Sequence, residues 1–112
     1  MINYIPINKR LIPYTFQISL ADELFSLTFR YNRFGDFFTV ALSKGGREIC
    51  AGEKLVFGMP LWNNLYRPGD YPALTIVPAA QKGSTANTVT WDNFGETVFL
   101  VIDSGGDDSV AQ

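Results

Sequence analysis

The sequence predicts a single all-β domain, a small antiparallel sandwich or partly open barrel. Three observations carry this. Every strongly periodic segment alternates apolar and polar residues with period two, as a strand with one buried face does. Short turn sequences join successive segments. No amphipathic helix, internal repeat or coiled-coil heptad occurs anywhere. At 14% aromatic residues with nine Phe, the composition also favours strands.

The chain opens with an apolar arm, Met1 to Pro13, marked by Pro6 and Pro13, which disfavour helix and keep their preceding residues extended. The arm is expected to lie over its own domain or over a neighbouring subunit. Tyr14 to Leu20 then alternates as a strand, and Ala21-Asp22-Glu23 is a short turn. Leu24 to Leu55 reads as a three-strand meander around which the rest is organised. Phe25, Leu27, Phe29 and Tyr31 form one face of its first strand, and Phe38, Val40 and Leu42 one face of its second. Glu48 to Leu55 forms the third, with a kink expected at Gly52. Asn32-Arg33-Phe34-Gly35 and Lys44-Gly45-Gly46 carry turn chemistry. A positive φ is expected at Gly35 and, by the same Asn-Phe-Gly logic, at Gly95.

Beyond Leu55, Gly58, Pro60, Asn63-Asn64 and Arg67-Pro68-Gly69-Asp70 break the apolar pattern. Residues 57–71 read as a long structured loop anchored by Leu61, Trp62, Leu65 and Tyr66. Leu74 to Pro78 reads as a short strand ended by proline. Residues 79–87 read as a surface connection, and 88–91 as the start of a strand. Thr97 to Ile102 is apolar almost throughout, as in a strand buried on both faces. The expected division is one β domain over 1–103 and a disordered, Gly/Ser/Asp-rich tail over 104–112. The expected core is Phe16, Ile18, Phe25, Leu27, Phe29, Phe38, Val40, Leu55, Val98 and Leu100.

A chain of 112 residues is long enough to bury a core without staples. Its net charge of −2, with both signs mixed along the chain, offers no basic stripe for a phosphate backbone, so nucleic acid is not expected as a main ligand. The one cysteine, Cys50, excludes an intramolecular disulfide and suits a reducing compartment. No apolar run is long enough for a transmembrane segment, and no secretory signal is visible at the start.

The residues that carry chemistry are scarce. The sequence has no histidine, so histidine triads and the commonest metal ligand are absent. Cys50 sits in an apolar strand, where a buried structural thiol is the ordinary reading. Asp36 with Glu53, and Asp92 with Glu96, are the carboxylate pairs available for acid–base work, though turn acids are far more often simply solvated. The acids of 103–108 lack calcium-loop spacing. No catalytic residue, cofactor or metal site is expected.

Three blocks resemble a known family: Arg30-Tyr31-Asn32 with Gly35-Asp36-Phe37-Phe38-Thr39-Val40; Ala51 to Leu61; and Asp92 to Leu100. The opening Tyr4-Ile5-Pro6 and Pro13-Tyr14-Thr15-Phe16 fit the same pattern. Together they resemble small tailed-bacteriophage proteins that include the baseplate plug protein of a contractile-tailed cyanophage. The short 44–46 turn, residues 82–88 and the tail depart from the pattern. The resemblance implies a structural, non-enzymatic virion protein. It would plug or cap the lower end of the tail tube, contacting baseplate hub and tail-tube proteins in several copies around a ring. It also implies residence in the virion baseplate, and in the bacterial host cytoplasm during assembly. The interface candidates are Ile5, Ile7 and Leu11 in the arm, and Met59, Leu61, Trp62 and Tyr66 in the long loop. Two other functions compete. One is a carbohydrate-binding β-sandwich using Trp62, Tyr66, Tyr71 and Trp91 as stacking platforms. The other is a small hydrolase using Asp36 and Glu53.

Overall fold

The computed structural model describes residues 3–62, 70–72 and 74–103. Seven strands form two antiparallel sheets: β1 (Asn3–Ile5), β2 (Tyr14–Leu20), β3 (Glu23–Asn32), β4 (Phe37–Lys44), β5 (Arg47–Lys54), β6 (Thr75–Ala80) and β7 (Val98–Asp103). The larger sheet runs β2-β3-β4-β5 in chain order, and the smaller β1-β7-β6. They do not close into a barrel. The described residues contain no α-helix, only a 3-10 turn at Lys9–Leu11.

The larger sheet is built from consecutive hairpins. Leu20 pairs with Glu23 across Ala21 and Asp22, whose φ values of 53° and 67° define a two-residue turn of the primed kind. Gly45 and Gly46 make the equivalent turn between Lys44 and Arg47, again with both φ positive. Because the side-chain period is two, this register puts Phe25, Leu27 and Phe29 on the same face as Val40 and Leu42. All five are essentially inaccessible. Ile76 of β6, Val98 and Leu100 of β7, and Ile5 of β1 cover them from the smaller sheet, making one continuous core. Each fully buried aromatic or branched side chain contributes about 1.5–3 kcal/mol.

The expected core holds, with Phe16 and Ile18 only half-buried at its margin. The expected kink at Gly52 is a register shift: Val40 faces Glu53 and Leu42 faces Cys50, so β5 carries an extra residue there. A second shift follows between Leu42 and Ser43.

Four expectations are corrected. The first is Gly35, which has no positive φ; the left-handed residue is its neighbour Asp36, at φ 54°. Glycine is needed at 35 for space, since a Cβ would lie 2.6 Å from the Phe37 ring. Gly95 does adopt φ +86°.

Second, proline does not end β6. The Gln81 N–H donates to the Thr97 carbonyl at 2.8 Å, so odd-numbered residues of β6 bond to β7 and even-numbered ones point away. Pro78 is even-numbered, and its missing N–H removes nothing from the ladder.

Third, residues 88–91 form no strand. Asn93 Oδ1 accepts from the Thr90 N–H at 2.9 Å, and the Asn93 carbonyl accepts from Glu96, Thr97 and Val98, each at 3.0 Å. This folds the stretch into a compact turn. Fourth, β7 is sealed on one face, by Val98 and Leu100, and only partly covered on the other. The 104–112 tail lies outside the described residues.

Candidate functional site

Apart from Leu24 on β3, three segments carry the large apolar side chains left at the surface among the described residues. The first is the arm. Its backbone is not a free appendage, because β1 pairs with β7 in the register Asn3↔Ile102, Tyr4↔Val101, Ile5↔Leu100. Ile5 is thereby 2% exposed and part of the core, and Ile7 is half-buried. Tyr4 faces outward against Phe99, with ring centroids 5.0 Å apart. The 3-10 turn, capped by Asn8 Oδ1 accepting from the Arg10 N–H, projects Leu11 into solvent.

The second segment leaves β5 and crosses to the other sheet. The Gly58 N–H donates to the Pro78 carbonyl and the Leu61 N–H to the Ile76 carbonyl, both at 2.8 Å. Residues 58–61 therefore run along the outer edge of β6 as an irregular extra strand. Leu61 and Trp62 turn inward and are buried, whereas Val56 and Met59 face out. Trp62 adopts φ 56°, rare for a bulky residue, and its N–H donates to Glu53 Oε2 at 3.0 Å. Tyr66 lies outside the described residues.

The third segment is the β3–β4 turn. Asn32 Oδ1 accepts from both the Phe34 and Gly35 N–H groups at 3.0 Å, an Asx arrangement that holds the tip rigid. Phe34 stands on this tip almost wholly exposed, at 92%, with the Arg33 guanidinium over its ring. Behind the tip, Asp36 Oδ1 accepts from the Tyr31 hydroxyl at 2.7 Å and from the Trp91 N–H at 2.9 Å. The hydrogen bond to Asp36 is the main reason that Tyr31 is pushed up to about 12. The same bond, then the Trp91 N–H, holds Asp36 below the usual carboxylate range. Trp91 packs against the Tyr31–Phe38 ring pair, and the Lys9 ammonium bonds the Trp91 carbonyl, tying the arm to the same cluster. A groove of about 380 Å³ runs beside it, between Asp36, Phe37, Lys54, Phe57 and residues 87–90.

Asp36 and Glu53 serve different loops: Asp36 accepts from Tyr31 and Trp91, and Glu53 from Trp62. Among the described residues no three His, Cys, Asp or Glu side chains are grouped to hold a metal ion. None of those residues forms a helix long and apolar enough to cross a membrane.

A family model described as cyanophage baseplate Pam3 plug gp18 matches residues 2–105. The chain belongs to this baseplate plug family. Comparison with curated proteins and with solved structures gave no match. Membership makes a structural role in a phage baseplate the frame for the surface. Of the candidate contact residues, Leu11 and Met59 are presented by the plug fold at 57% and 52% exposure. Ile5, Leu61 and Trp62 are taken up by its own core, and Ile7 lies at the margin. Phe34 was missed by sequence reasoning, although a signal exists: it is the only aromatic of the 32–35 turn, where no alternation assigns it a buried face.

Proposed function

We propose that this plug-family chain caps or plugs the lower end of a phage tail tube. It contacts hub and tube proteins in several copies around a ring and carries out no catalysis. Family membership across residues 2–105 supports the baseplate setting. The observation that carries the contact role is the set of large apolar side chains that the fold holds out of its core, with Phe34 on its rigid turn foremost. Such a pre-ordered aromatic loses little entropy on docking. The extended arm and the 57–71 loop supply further contacts through Ile7, Leu11, Met59 and Tyr66. The protein would accumulate in the host cytoplasm before it joins the virion.

The carbohydrate-binding reading finds no support in the aromatic geometry. Trp62 and Tyr71 are buried against each other, and Trp91 is half-buried against the Tyr31–Phe38 pair. The test of the contact role is Leu11→Ser, Phe34→Ser and Met59→Ser, singly and together, in a phage whose own copy is deleted. Unchanged circular dichroism with a sharp fall in infectious particles is the expected result. Wild-type particle yield from the folded triple variant would overturn it.

A further inference from the structure

Four strand edges terminate the two sheets, and three are blunted. The β5 edge carries two register shifts, β6 is covered by residues 58–61, and β1 is three residues long. Among the described residues the β2 edge has none of these devices. It is seven residues long, pairs with β3 in unbroken register, and contains no charged residue and no proline. Natural edge strands of this length and composition are normally guarded, because an open row of donors and acceptors pairs with whatever strand arrives.

The hairpin fixes which groups are open. Leu20 and Glu23 close the two-residue turn as a hydrogen-bonded pair, so Leu20, Ile18, Phe16 and Tyr14 bond to β3. The backbone groups of Thr15, Gln17 and Ser19 therefore point outward. Among the described residues no backbone bond outside the sheets reaches them. Their side chains are exposed on the solvent face, whereas Phe16 and Ile18 are half-buried beside a groove of about 520 Å³ formed with Pro6, Ile7 and Asn8.

We propose that the free chain pairs with a second copy of itself through β2, antiparallel about a two-fold axis at Gln17. The strand is complementary to itself in this register alone over its full length. Gln17 meets Gln17 of the second copy, Thr15 meets Ser19, and Ser19 meets Thr15. All three positions carry outward backbone groups, so each pair exchanges two hydrogen bonds. On the other face Phe16 falls beside Ile18 of the second copy, and Tyr14 beside Leu20. This covers Tyr14, Phe16 and Ile18, which the single chain leaves half-buried. The two Gln17 carboxamides each donate to and accept from the other, so no charge is opposed. The result is a continuous eight-stranded sheet closed by isologous contact. The pairing concerns the unassembled protein and does not rest on the baseplate reading.

The experiment is light scattering behind size exclusion over a concentration series of the full chain. The wild type is expected to rise from 12.5 kDa towards twice that mass. Gln17→Lys and Gln17→Glu, whose side chains lie in solvent, each oppose two like charges across the axis and are expected to stay monomeric with unchanged circular dichroism. An equimolar mixture of the two variants restores the doubled mass. Hydrogen exchange on the wild type gives an independent reading: the Thr15, Gln17 and Ser19 amides gain protection as concentration rises. A wild type that remains monomeric throughout overturns the proposal. So does a Gln17→Lys variant that pairs as well as wild type, which would place the contact at another surface, or a mixture that stays monomeric.

Discussion

The Tyr31 hydroxyl and Asp36 Oδ1 are 2.7 Å apart, and that oxygen also accepts the Trp91 N–H from 55 residues further along the chain. One carboxylate thus fastens the β3–β4 turn to the segment that precedes β7. Its effect on stability is bounded at both ends of the pH scale. Asp36 is lowered on folding, so its contribution is complete above the ordinary carboxylate pKa and is lost as pH falls through the depressed value. Tyr31 is raised from 10.0 to about 12, so its contribution is complete below 10 and is lost as pH climbs through 12. Absorbance at the tyrosinate band should show a late step from Tyr31. Tyr31→Phe should remove that step, and Asp36→Asn should return it towards the ordinary range.

Gly35→Ala and Gly95→Ala should both destabilise the domain, by roughly 1 kcal/mol each, for different reasons. At 95 the cost is the positive φ. At 35 it is the clash with the Phe37 ring, which also carries the Lys54 ammonium 4.7 Å from its centroid. A double-mutant cycle with Phe37→Ala, followed by urea unfolding, separates the two. The Gly35→Ala penalty should shrink in the Phe37→Ala background, while that of Gly95→Ala should not.

The β2–β3 turn is poorly served by its sequence. Ala21 at φ 53° occupies a conformation that suits Asn or Gly far better. Replacing Ala21-Asp22 by Asn-Gly should stabilise the protein by about 0.5–1 kcal/mol, raising Tm by several degrees. A calorimetric scan showing a lower Tm would mean that the turn is held by something other than its local dihedrals.

Glu53→Ala removes the acceptor for the Trp62 N–H, at a residue whose left-handed backbone needs outside support. A loss of about 1–2 kcal/mol is expected. Trp62 fluorescence, read in a Trp91→Phe background, should shift to the red as the indole leaves its buried site. Glu53→Gln, which keeps an acceptor oxygen, should recover most of the stability.

The larger sheet was legible because its information is local. Alternation at 14–20, 25–31 and 38–42, with turn residues between, states both register and buried face. In the smaller sheet β6 and β7 were legible as strands, but β1 and the pairing were not, because the neighbours are distant. Nothing near Asn3 says that it will face Ile102, and so the arm read as an extended segment lying over its own domain or a neighbouring subunit, and Ile5 as a contact residue. Pro78 read as a stop because the rule against proline in strands ignores which way the missing N–H would have pointed. Asp36, at the left-handed position expected of Gly35, has its carboxylate held by one donor in its own hairpin, Tyr31, and one remote donor, on residue 91. The core aromatic Phe94 was hidden in a turn motif whose Gly95 drew the reading instead. At the surface, the exposure of Leu11 and Met59 could be expected from their proline-marked context, while that of Phe34 required the turn to be seen in three dimensions.

The division between a locally paired sheet and a remotely paired one also sets an order of events during synthesis. The hairpins from β2 to β5 can form as they leave the ribosome, each strand meeting the one made just before it. β1 is made first yet has no partner until β7, nearly a hundred residues later. Throughout that interval Phe25, Leu27, Phe29, Val40 and Leu42 present an uncovered apolar face. The nascent chain is therefore most exposed to misassociation and to chaperone capture just before β7 arrives, and its completion assembles the smaller sheet over the larger one in a single late step.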